Sequence, residues 1–273
     1  MSLSFAAASL WGPALCAAGA GSLLLAGLVH GILGHPTILR APNPADRSTP
    51  TWSERISVHL IIYGAWGLGF GAVIWRGVPE GMIDVRFAFE RQWPVWESAE
   101  WVYLSVYVVP VALPWLAPTR DALRRYAFNV IRLLLVSLPF FLLLPLGSPP
   151  RAFSPTSIAG AVLAWETGRP DFAAAALPSF HVFWGLLVAQ WSRACGRGWA
   201  WIGWAWAIAI TAACVANGAH ALLDVTASWL LFFVLTAPGS PVARRFQVAE
   251  DRLFFNRTAP APSNAPKPRP PSP

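Results

Sequence analysis

The sequence predicts an all-α fold: a polytopic membrane helical bundle of about six to seven transmembrane helices. Three observations carry this. Of the 273 residues, 55% are hydrophobic and only 12% charged, about half the charged share of a soluble domain. Apolar runs of roughly 20 residues, the length that crosses a bilayer, recur along the chain. The 16 Trp suit a protein with two water–lipid boundaries, where indole rings collect.

The first span is expected over about residues 10–34, rich in Ala, Gly and Leu, with His30 near its end and His35 beyond it. No basic segment precedes it and its apolar run is long, so it reads as a retained span rather than a cleaved signal. Pro42, Pro44 and Pro50 mark a loop. The second span, about 57–75, carries Gly67, Gly69 and Gly71, which permit close helix approach. Residues 76–100 alternate aromatic with charged side chains, too polar to span, and predict an interfacial helix or a cap over one membrane face. Span three, about 101–115, should kink at Pro110 and Pro114. Span four, about 127–146, carries Arg132 near its basic end, where it can snorkel to the surface. A short helix over about 158–165 precedes span five (179–192), span six (199–216) and span seven (219–237), the last two separated by Asn217-Gly218. The Pro-rich tail after residue 259 reads as disordered. Three units follow: N-terminal spans (1–77), a helical bundle (78–237) and a tail (238–273).

The formal net charge is +7. The basic residues lie mostly in short loops, where they set topology, so nucleic acid is not an expected partner. One set of loops holds Arg40, Arg47, Arg55, Arg120, Arg124, Arg125, Arg193, Arg197 and the basic tail. The other holds Arg76, Arg86, Arg91, Arg151 and Arg169, offset by acidic residues between Glu80 and Glu100. The first set is therefore expected in the cytoplasm, and the starts of spans five and seven outside. One Lys, Lys267, among 20 basic residues, beside abundant Ala, Gly and Pro, suggests a GC-rich bacterial source and hence an inner membrane. The cysteines Cys16, Cys195 and Cys214 are widely spaced and form no disulfide or zinc pattern.

Against this oily background the polar residues of 178–224 stand out. Pro178-Ser179-Phe180-His181 opens span five. Pro and Ser favour helix starts, so Ser179 alone reads equally as a cap. His181 falls in a first turn, where free N–H groups and the helix dipole favour an anion such as phosphate. His220 and Asp224 are four residues apart, on one face if helical. The carboxylate can accept a proton from one imidazole nitrogen and leave the other as nucleophile or base; a purely structural His–Asp pair is the plain alternative. Arg151, in the same outer set of loops, offers a planar cation for phosphate oxygens. Together they predict phosphoryl transfer: attack by His220, proton donation by His181, and oxygens held by Arg151, Ser179 and helix N-termini. No carboxylate cluster suggests a metal, and no cofactor is expected.

The PSFH at 178–181 and HALLD at 220–224 resemble the paired Pro-Ser-x-His and His-x-x-x-Asp motifs of the type-2 phosphatidic acid phosphatase superfamily. The resemblance covers about residues 95–237. It implies His220 as nucleophile, Asp224 orienting it and His181 as general acid. The superfamily's Lys…Arg-Pro motif is absent, and Ala213-Cys214 stand where its Ser-Arg pair is expected. LLLPLGSPPRAF at 142–153 resembles instead the Pro-Pro-Arg segment of the inositol phosphorylceramide synthase-like branch, which also lacks that pair. The resemblance implies an integral-membrane lipid-phosphate phosphatase or phosphotransferase, with acyl-glycerol, prenyl or sphingoid phosphates as substrates and residues 78–237 as the catalytic bundle. A transferase would move the phospho-headgroup to an alcohol. A different class, a non-catalytic lipid- or haem-binding membrane protein with His30 and His59 as axial ligands, would leave Ser179 and Asp224 without a role. The sequence is silent on oligomeric state.

Overall fold

The computed structural model describes residues 13–26, 42–43, 45–237 and 240–241. His30, His35, the ends of the first expected span and the Pro-rich tail lie outside the described residues. Nine α-helices are described: α1 (Pro13–Ala26), α2 (Trp52–Arg76), α3 (Ala99–Leu104), α4 (Val109–Leu116), α5 (Arg120–Leu143), α6 (Ile158–Thr167), α7 (Phe180–Ser192), α8 (Arg197–Ala216) and α9 (Leu222–Thr236). The strands among the described residues are two dipeptides, β1 (Ile83–Asp84) and β2 (Leu146–Gly147), paired in parallel. The protein is thus an all-α membrane bundle. Five stretches are long and apolar enough to cross a bilayer: α2, α3 through α4 (Ala99–Leu116), α5, Ala173–Cys195 around α7, and α8. Helices α1, α6 and α9 are apolar but shorter.

Helix starts follow their caps. Thr51 and Glu54 form a capping box at α2, Thr119 accepts from the N–H of Ala122 at α5, and Ser157 accepts from Gly160 at α6. The Thr119 cap starts α5 seven residues earlier than expected. Arg132 therefore sits more than three turns into the helix and is buried, at 8% exposure, instead of snorkelling. Span three breaks before its prolines: α3 ends at Leu104, a 3-10 turn covers Ser105–Tyr107, and Pro110 enters the first turn of α4, where its missing N–H costs nothing.

Helices α2 and α5 run in the same direction. At one end Arg120 pairs with Glu54 (2.9 Å) and Arg124 with Asp46 (3.0 Å); at the other, Arg76 donates to the carbonyl of Phe141 (2.8 Å). Close approach is made through glycines, as expected: Gly64 and Gly67 pack against Gly19 of α1, and Gly69 against Leu138 of α5. Helix α7 is the axis of the bundle. It is buried over 83% of its span window against 28% for α8, and packs on α4, α5, α8 and α9. Its Val182, Phe183, Leu186 and Ala189 are wholly buried. With lipid as apolar as leucine, such a helix is held by packing and by polar contacts at its ends.

Residues 77–100 form no interfacial α-helix. β1 pairs Ile83 with Leu146 and Asp84 with Gly147, and a 3-10 turn (Ala88–Gln92) follows. The segment lies over the bundle end where α7 and α9 begin: Trp96 N–H donates to the carbonyl of Ala216 (3.0 Å), and Glu90 accepts from the N–H of Leu222 (2.8 Å).

Candidate active site

The starts of α7 and α9 are tied to each other. Ser179 caps α7 by accepting from Val182 N–H (3.4 Å); its own N–H donates to the carbonyl of Asp224 (3.4 Å) and its carbonyl accepts from the Ser228 hydroxyl (3.2 Å). The N–H groups of Phe180 and His181, in the first turn, are beyond the reach of any helical carbonyl. They point the positive end of α7 at the site.

His220 is not inside a helix. Helix α8 ends at Ala216, and Asn217 holds the turn by accepting from Ala219 N–H (3.1 Å). Gly218 then takes φ +80°, a left-handed conformation that suits glycine, with Arg151 Nε only 2.8 Å from where a Cβ would stand. The turn delays α9 to Leu222, so His220 precedes the cap residue Ala221. The expected juxtaposition with Asp224 arises by another route. Asp224, in the first turn of α9, reaches back to accept from Ala221 N–H (2.8 Å) and lies 3.4 Å from Nδ1 of His220. Asp224 is wholly buried and His220 is 5% exposed.

Nε2 of His220 lies 3.2 Å from the Ser179 hydroxyl and 3.3 Å from Nδ1 of His181. His181 is flanked by two tyrosines: Tyr103 OH is 3.0 Å from Nδ1, and Tyr107 OH is 3.1 Å from Nε2. Tautomers follow from these partners. A carboxylate in ion-pair range of Nδ1 of His220, outside hydrogen-bond geometry, favours the proton on that nitrogen; Nε2 then keeps its lone pair and can accept from the Ser179 hydroxyl. With its proton on Nε2, His181 can accept at Nδ1 from the Tyr103 hydroxyl. Two basic nitrogens therefore face one space, an arrangement that accepts a proton or an acidic guest between them.

Two buried arginines brace the turn. Arg86 donates to the carbonyls of His220 (3.2 Å), Gly218 (3.1 Å) and Pro149 (3.1 Å) and to the Ser148 hydroxyl (3.1 Å). Burial pulls its pKa down, opposed by the carboxylates of Glu90, Asp224 and Asp84. Nη2 of Arg151 donates to the carbonyls of Val215 and, at 2.9 Å, Ala216, at the end of α8. Its pKa is lowered by burial and then by the Arg86 cation. The Arg151 guanidinium lines a groove beside Trp93 and Trp229; the cavity that holds the histidines is lined by Arg169. Cys214, where the family's arginine would stand, is wholly buried and in hydrogen-bond reach of Ser179.

That cavity has a volume of about 540 Å³. Its polar end holds His181, His220, Ser148, Glu166 and Arg169; its apolar length runs along Tyr63, Trp66 and Phe70 of α2, Val111 of α4 and Trp184 of α7. The structure thus brings together Ser179, His181, His220 and Asp224, with Arg151 behind the turn. Sequence reasoning passed over Tyr103, Tyr107, Glu166, Arg169, Arg86 and Glu90. One signal was available: Glu100, Tyr103 and Tyr107 recur at helical spacing as a polar stripe in an apolar span. His59 packs between the rings of Tyr63 and Trp115 inside α2.

A helical membrane bundle with a carboxylate-braced histidine facing a second histidine at two helix starts defines the class: a membrane protein with a site suited to a phosphate. The family model described as PAP2 superfamily matches residues 84–237, more than half of the chain, and the chain belongs to that superfamily. Membership brings a phosphatase- or phosphotransferase-type function. No curated protein and no solved structure matches the chain.

Proposed function

We propose that the protein is a lipid-phosphate phosphatase or phosphotransferase that works through a phosphohistidine at His220. The observation that carries this is the His220 ring, braced by Asp224 at Nδ1 (3.4 Å) and presenting Nε2 to Ser179 and His181 at the polar end of a long apolar cavity.

The substrate's phosphate enters at the two histidines and parts the 3.3 Å contact between their rings. Ser179, the free N–H groups at the start of α7 and Arg169 on the cavity wall hold its oxygens, and Arg151 adds positive charge from behind the turn. Nε2 of His220 attacks phosphorus, the bond to the lipid oxygen breaks, and that oxygen takes the proton carried on Nδ1 of His181. A water then gives its proton to Nδ1 of His181 and its oxygen to phosphorus; the P–N bond breaks and phosphate leaves. The chemistry needs no metal and no cofactor. The cavity's apolar wall suits a lipid chain, and the loop charges favour a site at the outer face of a bacterial inner membrane, with the tail in the cytoplasm.

The polar wall beside His181, with Ser148, Glu166 and Arg169, favours a second version in which an alcohol replaces water, as in the inositol phosphorylceramide synthase-like branch. One assay separates these. Purified protein, supplied with phosphatidic acid or prenyl pyrophosphate, should release phosphate, and His220→Ala should not. Equal release by both proteins sinks the catalytic reading. Adding inositol or other alcohols should divert phosphate into a new ester only if the protein is a transferase. Acid-labile phosphate trapped on His220 is the direct evidence.

A further inference from the structure

Behind His181, on the side away from His220, lies a chain of polar groups that the mechanism above does not use. The Tyr107 hydroxyl is 3.1 Å from Nε2 of His181 and donates to Oε1 of Glu166. The Glu166 carboxyl is hydrogen-bonded to that of Glu100, which is wholly buried. Oε2 of Glu100 accepts from the Asn217 side chain (2.9 Å). Oε1 of Glu100 and Oε2 of Glu166 are both sealed from solvent and find no other partner. A single proton shared between two such sealed acceptor oxygens satisfies both and leaves the pair one negative charge.

The direction of every hydrogen bond in the chain then follows. Asn217 N–H donates to Glu100, the shared proton links Glu100 to Glu166, and Tyr107 O–H is committed to the Glu166 carboxylate. The Tyr107 oxygen is left as an acceptor towards Nε2 of His181, which must carry a proton. On the other side of the ring, Nδ1 is then left to accept from the Tyr103 hydroxyl, 3.0 Å away. The same tautomer therefore satisfies both tyrosines.

We propose that the Glu100–Glu166 carboxyl pair, acting through the Tyr107 hydroxyl, orients His181: it keeps a proton on Nε2, leaves Nδ1 as the nitrogen that exchanges a proton with the reacting oxygen, and stabilises the imidazolium with its negative charge. Glu166 and Tyr107 are positioning residues in this scheme. The catalytic consequence rests on the phosphoryl-transfer reading; the tautomer does not. The ionisable groups around the ring are Tyr103 and Glu100 of α3, Tyr107, Glu166 of α6, His220, and Cys214 of α8, which interacts with both tyrosines; Asp224 and Arg169 complete the surroundings.

The test uses the full chain in detergent with 15N-labelled histidine, the His181 signal being assigned by its loss in His181→Gln. The expected result is His181 protonated on Nε2 when neutral, a larger share of the Nδ1-protonated tautomer in Tyr107→Phe with Tyr103 still opposing it, and no change at His220. In Glu166→Gln, which keeps an acceptor for Tyr107 but moves the pair's negative charge away from that hydroxyl and onto Glu100, the His181 titration should move down by up to about one pH unit. The alkaline limb of kcat should move with it while KM stays put. His181 protonated on Nδ1 in the wild type, or a midpoint unmoved in Glu166→Gln, overturns the proposal. Should Tyr107→Phe not fold, the wild-type tautomer and the Glu166→Gln titration decide alone. Absence of turnover in the wild type counts against the phosphatase reading and leaves the spectroscopic result to judge this one.

Discussion

His220 and His181 face each other across 3.3 Å, and the chain supports them in opposite ways. His220 sits in a turn; its ring is faced by Asp224 four residues on, and its backbone is held by the end of α8 just before and, from afar, by Arg86. His181 sits in a regular helix and is held from afar, by Tyr103 and Tyr107 on the Ala99–Leu116 span and, through Tyr107, by Glu166 on α6. One brace is a direct carboxylate contact; the other passes through a phenol. A direct contact couples its two groups more strongly, whereas a relayed brace spreads its effect over several weaker links.

Four changes probe that contrast, from the largest effect to the smallest. His220→Ala removes the proposed nucleophile and should lower kcat by about 10⁶-fold. Asp224→Asn favours the wrong tautomer at His220 and should cost about 10⁴-fold in kcat, far more than Glu166→Gln, where the charge only moves further from a ring it reaches through a hydroxyl. Equal losses for the two would erase the distinction between direct and relayed bracing. Gly218→Ala should destabilise the fold by about 1–2 kcal/mol, from the left-handed backbone conformation, and displace Arg151; thermal unfolding in detergent reads it. The last concerns the mounting of α6. Glu97 accepts from the Ser157 hydroxyl and from the N–H and hydroxyl of Thr156 at the start of that helix. These bonds, the Ser157 hydroxyl first, hold its carboxyl below the ordinary value of 4.5. A carboxyl with a lowered folded-state pKa stabilises the fold above that value and ceases to do so as pH falls below it. Glu97→Gln should lose that contribution at neutral pH and converge with the wild type well below about pH 4.5, which flattens the acid side of the stability profile; a profile identical to the wild type's counts against this anchor.

The same contrast explains what could be read from the chain. The PSFH and HALLD motifs are local, so Ser179, His181, His220 and Asp224 could be named as site candidates without coordinates. The all-α bundle was equally legible, because span length and hydropathy are properties of continuous segments. Tyr107 and Glu166 are separated by 59 residues, and Arg86 and His220 by 134. No periodicity encodes such meetings; they exist only once β1 has paired with β2 and the 77–100 segment has folded over the bundle end. Boundaries failed where a cap outvoted hydropathy. Thr119 drew α5 back into a charged stretch, and Asn217-Gly218 pushed α9 forward past His220. Arg151 shows another limit: its place in the loop suggested a phosphate ligand, while backbone carbonyls at the end of α8 claim one nitrogen of its guanidinium.

The cavity's long apolar wall has a kinetic consequence. A lipid whose headgroup reaches the histidines while its chain lies along Tyr63, Trp66 and Phe70 need never leave the bilayer. Encounter is then a two-dimensional search, and the variable that sets the rate is the substrate's mole fraction in the surface, not its concentration in the tube. Diluting the substrate with inert lipid at constant bulk amount should slow turnover, and detergent monomers, which share the shape of a chain with a polar head, should act as competitors for the same wall.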